Sequence, residues 1–332
     1  MLEKPNIPDQ KIIEHLRKEY GLQLKTLTHL PIGADSDSAV YRAEATDQTA
    51  YFLKLRSGPF DETSVTLLKH YHDLGISQII ACIPTQMDQL WGEFGRYKTM
   101  LYPFIEGKNG YEQTLSDRNW AEFGHALKQI HTADIPASIK GNIRRESFSA
   151  EHRNSVRGFL NQIEQTEYAD PVARELAAFL KVKRPVVLDL IGRTEALAHG
   201  LKAQPFETIV CHSDLHAGNL LISPDDSLFI VDWDAPILAP KERDLMYIGG
   251  ALLSSGISDQ AEEFRFYNMY GEINLNEDAL VYYRCERIIE DISEYCKELL
   301  LSDAGGADRH QSLAYLKSNF EPNRTLYAAL RL

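Results

Sequence analysis

Residues 208–236 read TIVCHSDLHAGNLLISPDDSLFIVDWDAP. The apolar runs TIV and LLI have the length and β-rich composition of short strands, and between them lies the polar loop HSDLHAGN. The turn signal SPDDS follows, and a third apolar run, LFIV, delivers Asp232 at its end. His212, Asp214, Asn219 and Asp232 are thereby gathered at loop edges. Aspartate and asparagine often do no more than cap turns. Their joint spacing within a strand-loop-strand context argues for a site instead. Attack of a hydroxyl on the γ-phosphate of ATP needs a carboxylate to orient that hydroxyl and take its proton, and hard oxygen ligands for magnesium. Asp214, Asn219 and Asp232 supply such a set.

The H-x-D-x-x-x-x-N spacing from His212 to Asn219, followed by Asp232-Trp233-Asp234 after an apolar run, resembles the catalytic and metal-binding loops of protein kinases. It is closer still to the aminoglycoside phosphotransferase and choline kinase group. The resemblance implies an α+β, bilobal protein-kinase-like fold: an N-terminal lobe of antiparallel sheet with a helix, then a mostly helical C-terminal lobe. It implies ATP and Mg2+, Asp214 as catalytic base, and Asn219 with Asp232 as metal ligands. His212 would brace the loop, and Asp244, in the segment ERDL, would anchor it from the following helix. Three departures point away from a protein substrate: His216 stands where protein kinases place a lysine, D-F-G is replaced by D-W-D, and no A-P-E segment follows. Asp234 is open to two readings, a metal contact or a turn cap.

The N-terminal part fits this frame. A helical stripe of Ile12, Ile13 and Leu16 runs from Pro8 to Tyr20 and is closed by Gly21. A hairpin of Ala39–Ala43 and Tyr51–Leu55, a helix from about Asp61 to Leu74, and strands at Ile79–Ile83 and Tyr97–Phe104 complete an α+β lobe, with the lobe boundary near residue 105. The domains are then 1–105 and 106–332. Alternation sets Lys54 on the face opposite Leu53 and Leu55, mid-strand, where it would reach phosphates with Glu62 as its partner and Asp61 as runner-up. PIGADSDSAVYRA lies in the place of the phosphate loop with a single glycine, Gly33, and with Ser36 and Ser38 as phosphate donors. TMLYPFIEG resembles a hinge whose backbone near Tyr102 and Phe104 would meet adenine.

From Ser116 onward helical stripes dominate. VYYRCERIIEDISEY concentrates Tyr283, Arg287, Glu290, Asp291 and Glu294 within a few turns, and Tyr283, Arg287, Glu290 and Asp291 are candidates for binding the substrate. Glu290 and Asp291 could bind an ammonium, with Asp234 nearby in the motif and aromatic faces such as Trp233 and Tyr283 adding cation-π attraction; Glu294 reads better as a solvated helix position. The chain has 332 residues and a formal charge of -13. That balance disfavours a nucleic-acid partner, which would call for a basic stripe, and suits a small cationic acceptor. No secretory signal and no long uncharged apolar run is present, so a cytoplasmic protein away from the membrane, acting as a monomer, is expected. Four cysteines lack CxxC or zinc spacing and read as reduced packing residues.

Beyond the motifs, GAD, FLKL, YPFI, CHSDLHAGN, IVDWD, LAPKERDLM, IGG, YGEIN, YYR and ERIIEDI together look like the spectinomycin phosphotransferases, nearly end to end. This implies that Asp214 would orient the 9-hydroxyl of spectinomycin, and that methylamino groups would meet acids of the helical lobe. A kinase of choline, an aminosugar or methylthioribose, and a nucleotide-binding pseudokinase, are the alternatives.

Overall fold

The computed structural model describes residues 4–32, 37–249, 253, 256–302, 306, 308–321 and 325–330. Gly33 and Ser36, expected in the phosphate loop, lie outside them. In chain order the elements begin with α1 (Asp9–Tyr20), β1 (Leu24–Leu30), β2 (Ser38–Ala45), β3 (Ala50–Arg56), α2 (Glu62–Asp73), β4 (Gly92–Phe94), β5 (Tyr97–Pro103) and β6 (Lys108–Asn109). Next come α3 (Asp117–Thr132), α4 (Ala137–Lys140), β7 (Arg144–Arg145), α5 (Glu151–Gln165), α6 (Pro171–Lys202), β8 (Ile209–Cys211), β9 (Leu220–Ile222) and β10 (Leu228–Ile230). The last are β11 (Ile237–Ala239), α7 (Glu242–Leu245), α8 (Asp259–Tyr270), α9 (Glu277–Leu301), α10 (Asp308–Ser318) and α11 (Thr325–Leu330).

One unit comprises residues 1–143 with 217–236. Its main sheet runs β1-β2-β3-β5-β4, antiparallel throughout, and the register places Lys54 between Val40 and Met100. Ile12 and Leu16 of α1 join Tyr41, Leu53, Leu55 and Leu101 in its core. Gly21, at φ 71°, closes α1 in the left-handed conformation and returns its N–H to the Arg17 carbonyl. Asp61 caps α2 by accepting from the Thr63 N–H, and Ser116 with Asn119 forms a reciprocal capping box on α3. The expected strand at Ile79–Ile83 is absent. That stretch buries Ile79 and Cys82 but runs as coil, with one ladder-like bond from the Ile83 N–H to the Leu101 carbonyl. Burial of apolar side chains alone does not make a strand; backbone partners do. A smaller antiparallel sheet, β10-β9-β6, has α3 packed on β10. These units divide the chain differently from the expected boundary at 105, because α3, α4 and the 217–236 segment all belong with the sheet-bearing unit.

The other unit, residues 144–216 with 237–332, is mostly helical. A three-stranded sheet, β7-β11-β8, pairs β11 parallel to β7 and antiparallel to β8. The Asn276 side chain caps α9, whose Ile288, Ile289, Ile292 and Cys296 are buried among Val156 and Leu160 of α5, Leu180 and Leu190 of α6, and Leu316 of α10. Within this core sits an ion pair between Arg153, only 1% exposed, and Glu286. Burial pushes the Glu286 carboxyl up to about 7 against the pull of Arg153. Arg153 also donates to the carbonyls of Phe148 and Ser149, which ties the start of α5 to α9. Among the described residues no helix is long and apolar enough to cross a membrane.

Truncating one member of a buried pair strands the other. Arg153→Ala should cost about 3–5 kcal/mol of unfolding free energy in urea, and Glu286→Gln, which leaves the buried Arg153 guanidinium an amide oxygen but no counter-charge, should also be destabilising.

Candidate active site

Two sets of functional side chains form, one in each unit. In the sheet-bearing unit, β3 exposes Phe52, Lys54 and Arg56 on the face opposite buried Leu53 and Leu55, as alternation requires. Lys54 Nζ lies 2.5 Å from Asp234 Oδ2 and 3.7 Å from Asp232 Oδ1, and Arg56 Nη1 donates to the same Asp234 oxygen at 2.9 Å. The expected partner, Glu62, is not the one found. Glu62 opens the first turn of α2 with its side chain in solvent, and Asp61 is occupied as the helix cap. Asp234 therefore holds two cations of one strand.

Asn219 ends a short 3-10 turn, Ala217–Asn219, and is buried. Its carbonyl accepts from the Val231 N–H at 3.0 Å, which ties it to the residue before Asp232. Asp232 has φ 67°, a left-handed conformation that asparagine and aspartate tolerate better than most residues. An amide oxygen and a carboxylate on adjoining backbone form a hard-donor set of the kind magnesium takes, so the residues present fit that ion. Trp233 does not serve as expected. It is 3% exposed, its indole N–H donates to the Ile230 carbonyl at 3.1 Å, and its ring packs 5.6 Å from that of Tyr71, so it offers no face to an acceptor.

Beside Asp234 is a cavity of about 260 Å³ lined by Arg56, Phe60, Val65, Met100 and Tyr102. Burial pushes the Tyr102 phenol well above its ordinary value, so its hydroxyl stays protonated. The Phe104 N–H, a candidate hinge donor, already bonds the Ala50 carbonyl at 3.1 Å, and the Arg42 guanidinium stands 5.1 Å from the Phe104 ring. Ser38 is buried at the start of β2, with its hydroxyl 3.5 Å from Arg56 Nη1.

In the helical unit, the backbone leaving β8 turns sharply, with Ser213 at φ 74°. Asp244, fully buried in α7, accepts from the N–H groups of His212 at 2.9 Å and Ser213 at 2.6 Å. His212, also buried, accepts the Asp214 N–H on Nδ1 at 3.2 Å. That places any ring proton of a neutral His212 on Nε2. Asp214 Oδ1 then accepts from Arg287 Nη1 at 2.7 Å and from the Tyr247 hydroxyl at 3.1 Å, while Oδ2 stands 3.7 Å from His216 Nε2. Burial works to raise the Asp214 carboxyl, but Arg287, followed by His216, His212 and Tyr247, brings it below its ordinary value. Burial in turn lowers His216, which is neutral near pH 7.

The expected substrate acids are not loose anions. Asp291 accepts from Arg287 Nε at 3.0 Å, and Glu290 lies 3.5 Å from Arg243. Burial raises Asp291 in spite of Arg287. Burial also opposes ionisation of Glu290, yet Arg243 and Arg287 hold it below its ordinary value. Any ammonium bound here would share these carboxylates with arginines. Tyr283 is fully buried, with its ring 5.1 Å from Tyr282 and 6.2 Å from Phe148. It is a packing residue, not a contact for a ligand. Tyr247, which sequence reasoning missed, is buried and also reaches the Ser213 carbonyl at 3.2 Å. Its place three residues after Asp244, one helical turn on, was the available signal.

Among known proteins, a model of the phosphotransferase enzyme family (APH) matches residues 28–252. The crystal structure of spectinomycin phosphotransferase, APH(9)-Ia, in complex with ADP and spectinomycin is 37% identical, with 99% of each chain covered and a TM-score of 0.91. Its AMP-bound complex is 36% identical over 97% of this chain and 98% of that one, with a TM-score of 0.86. Choline kinase LicA from Streptococcus pneumoniae, 18% identical over 92% of this chain and 99% of that one, shares the fold at a TM-score of 0.53.

Asp244→Ala would orphan two buried N–H groups, each costing about 1–3 kcal/mol. The variant should melt well below the wild type in a thermal scan, and Asp244→Asn, which retains one acceptor oxygen, should fall between them.

Proposed function

Because the chain belongs to the phosphotransferase enzyme family, with that family's kinase-like fold, and is a small-molecule kinase, we propose that it transfers the γ-phosphate of ATP, with magnesium, to a ring hydroxyl of spectinomycin. Resistance to that antibiotic would follow. The observation that carries this reading is the end-to-end likeness to a protein solved with both ADP and spectinomycin bound. The remaining relatives under 25% identity speak only to the fold.

The side chains support it. Asp214 is held ionised beside Arg287, ready to orient an acceptor hydroxyl and take its proton. Lys54, mid-strand in β3, is the cation for the phosphates, and Arg56 stands on the same face. Asn219 and Asp232 would hold magnesium, which when bound neutralises charge on the phosphates. Asp234 keeps Lys54 and Arg56 in place. For the acceptor, Glu290 and Asp291 supply anionic character to one face of α9, and Arg243 and Arg287 fix where those carboxylates point. A dicationic aminocyclitol suits that surface better than an anionic or neutral acceptor.

ADP release by the purified protein with ATP and magnesium tests the reading. Turnover is expected with spectinomycin and not with streptomycin, kanamycin or choline. Asp214→Asn should lower kcat by on the order of 10²-fold or more while leaving ATP binding intact. Asp232→Ala should abolish the magnesium dependence together with turnover. Turnover with a different acceptor alone would replace the substrate and keep the kinase.

A further inference from the structure

Asp214 is held through Oδ1. Oδ1 accepts from Arg287 Nη1 and from the Tyr247 hydroxyl, which fills the two in-plane lone pairs of a carboxylate oxygen. Oδ2 points toward His216 at 3.7 Å. His216 stands where the protein-kinase loop carries a lysine, and being neutral it brings the carboxylate no permanent charge. The cation comes from α9 instead. Arg287 is itself fixed: Nε donates to Asp291 Oδ1 at 3.0 Å, and Nη1 also reaches the Tyr247 oxygen at 3.2 Å. Asp291 in turn lies 3.5 Å from Asn319 Nδ2, so the chain of contacts ends on a neutral amide.

We propose, resting on the reading of Asp214 as base, that Arg287 is a positioning residue that clamps Asp214 through Oδ1 and so fixes how its carboxylate meets the acceptor hydroxyl. In the transfer step the acceptor O–H bond breaks and its proton passes to the Asp214 carboxylate. The acceptor oxygen bonds to the γ-phosphorus, and the bond from that phosphorus to the β–γ bridging oxygen breaks to release ADP. Arg287 takes no proton and touches no reacting atom. The role expected of it from the sequence, substrate binding, is replaced by one upstream of the acceptor.

The sign of the pH effect follows. The groups facing Asp214 are His212 and His216 of its own loop, Tyr247 after α7, and Arg287 on α9, with Glu290 and Asp291 acting in the opposite sense. The ionised carboxylate is the active form. Removing the guanidinium raises its pKa, so the acid limb of kcat/KM moves to higher pH.

The test is ADP release with ATP, magnesium and spectinomycin from acid to alkaline pH for the wild type, R287A, R287K, Y247F and D214N, with spectinomycin affinity measured by calorimetry. R287A should lose on the order of 10²-fold in kcat and shift the acid limb upward by about 1–3 pH units, both beyond any change in spectinomycin affinity that follows from releasing Asp291. R287K should restore the limb but only part of kcat, because an ammonium cannot reproduce the guanidinium fork. An unmoved limb in R287A, or a loss confined to spectinomycin affinity, overturns the proposal. Should R287A fail to fold, Y247F decides: a smaller upward shift supports the clamp, and no shift overturns it. Full turnover by D214N would instead overturn the reading of Asp214 as base, whereas an inactive D214N with an unshifted R287A limb overturns the clamp alone.

Discussion

A single buried carboxylate determines where Asp214 can be. Asp244 has no exposure and accepts from two consecutive backbone N–H groups, those of His212 and Ser213. Two bonds from adjoining amides to one side chain fix the peptide plane between them. They also stabilise the left-handed Ser213, a conformation that costs free energy in a residue with a Cβ. With that turn fixed, the next residue is Asp214, and its N–H reaches back to His212 Nδ1. The loop's geometry is thus set from α7, and the side chains of the site are arranged on top of it.

Charge in the helical unit is arranged by pairing rather than by exposure. Arg153 with Glu286, Arg243 with Glu290, and Arg287 with both Asp214 and Asp291 each combine a cation and an acid with limited access to water. Isolated, any of these charges would be costly to bury. Pairing holds Asp214 and Glu290 below their ordinary values, while burial still raises Glu286 and Asp291, and each arginine aims its partner through the directional guanidinium fork. The overall charge of -13 says little about this local pairing.

Features written in contiguous residues were legible in the sequence. The catalytic-loop spacing, the β2–β3 hairpin, the Gly21 stop and the Ser116 cap each rest on local chemistry that a short window contains. Features that depend on what packs where were not. Lys54 had acids available at Glu62 and Asp234, and only the course of the chain after β10 brings Asp234 to it. Trp233 between two aspartates reads as exposed, yet Tyr71 of α2 covers it. Tyr283 sits among polar neighbours in sequence but beneath Phe148 and Tyr282 in space. Ile79–Ile83 has a strand's composition and lacks a strand's partners.

The clearest illustration is the charge partner of Asp214. A loop lysine would have been visible two residues away; here the neighbouring position is histidine, and the cation is Arg287, 73 residues further along. Moving that cation onto α9 couples two properties that a loop lysine would keep apart. Arg287, Glu290 and Asp291 occupy positions i, i+3 and i+4 of one helix face. On the proposed reading, the face that meets the acceptor's ammonium groups is also the face that sets the ionisation and direction of the base. A substitution that retunes this face for another acceptor therefore disturbs Asp214 as well. That coupling constrains such a site toward one class of acceptor more tightly than the size of its pocket would.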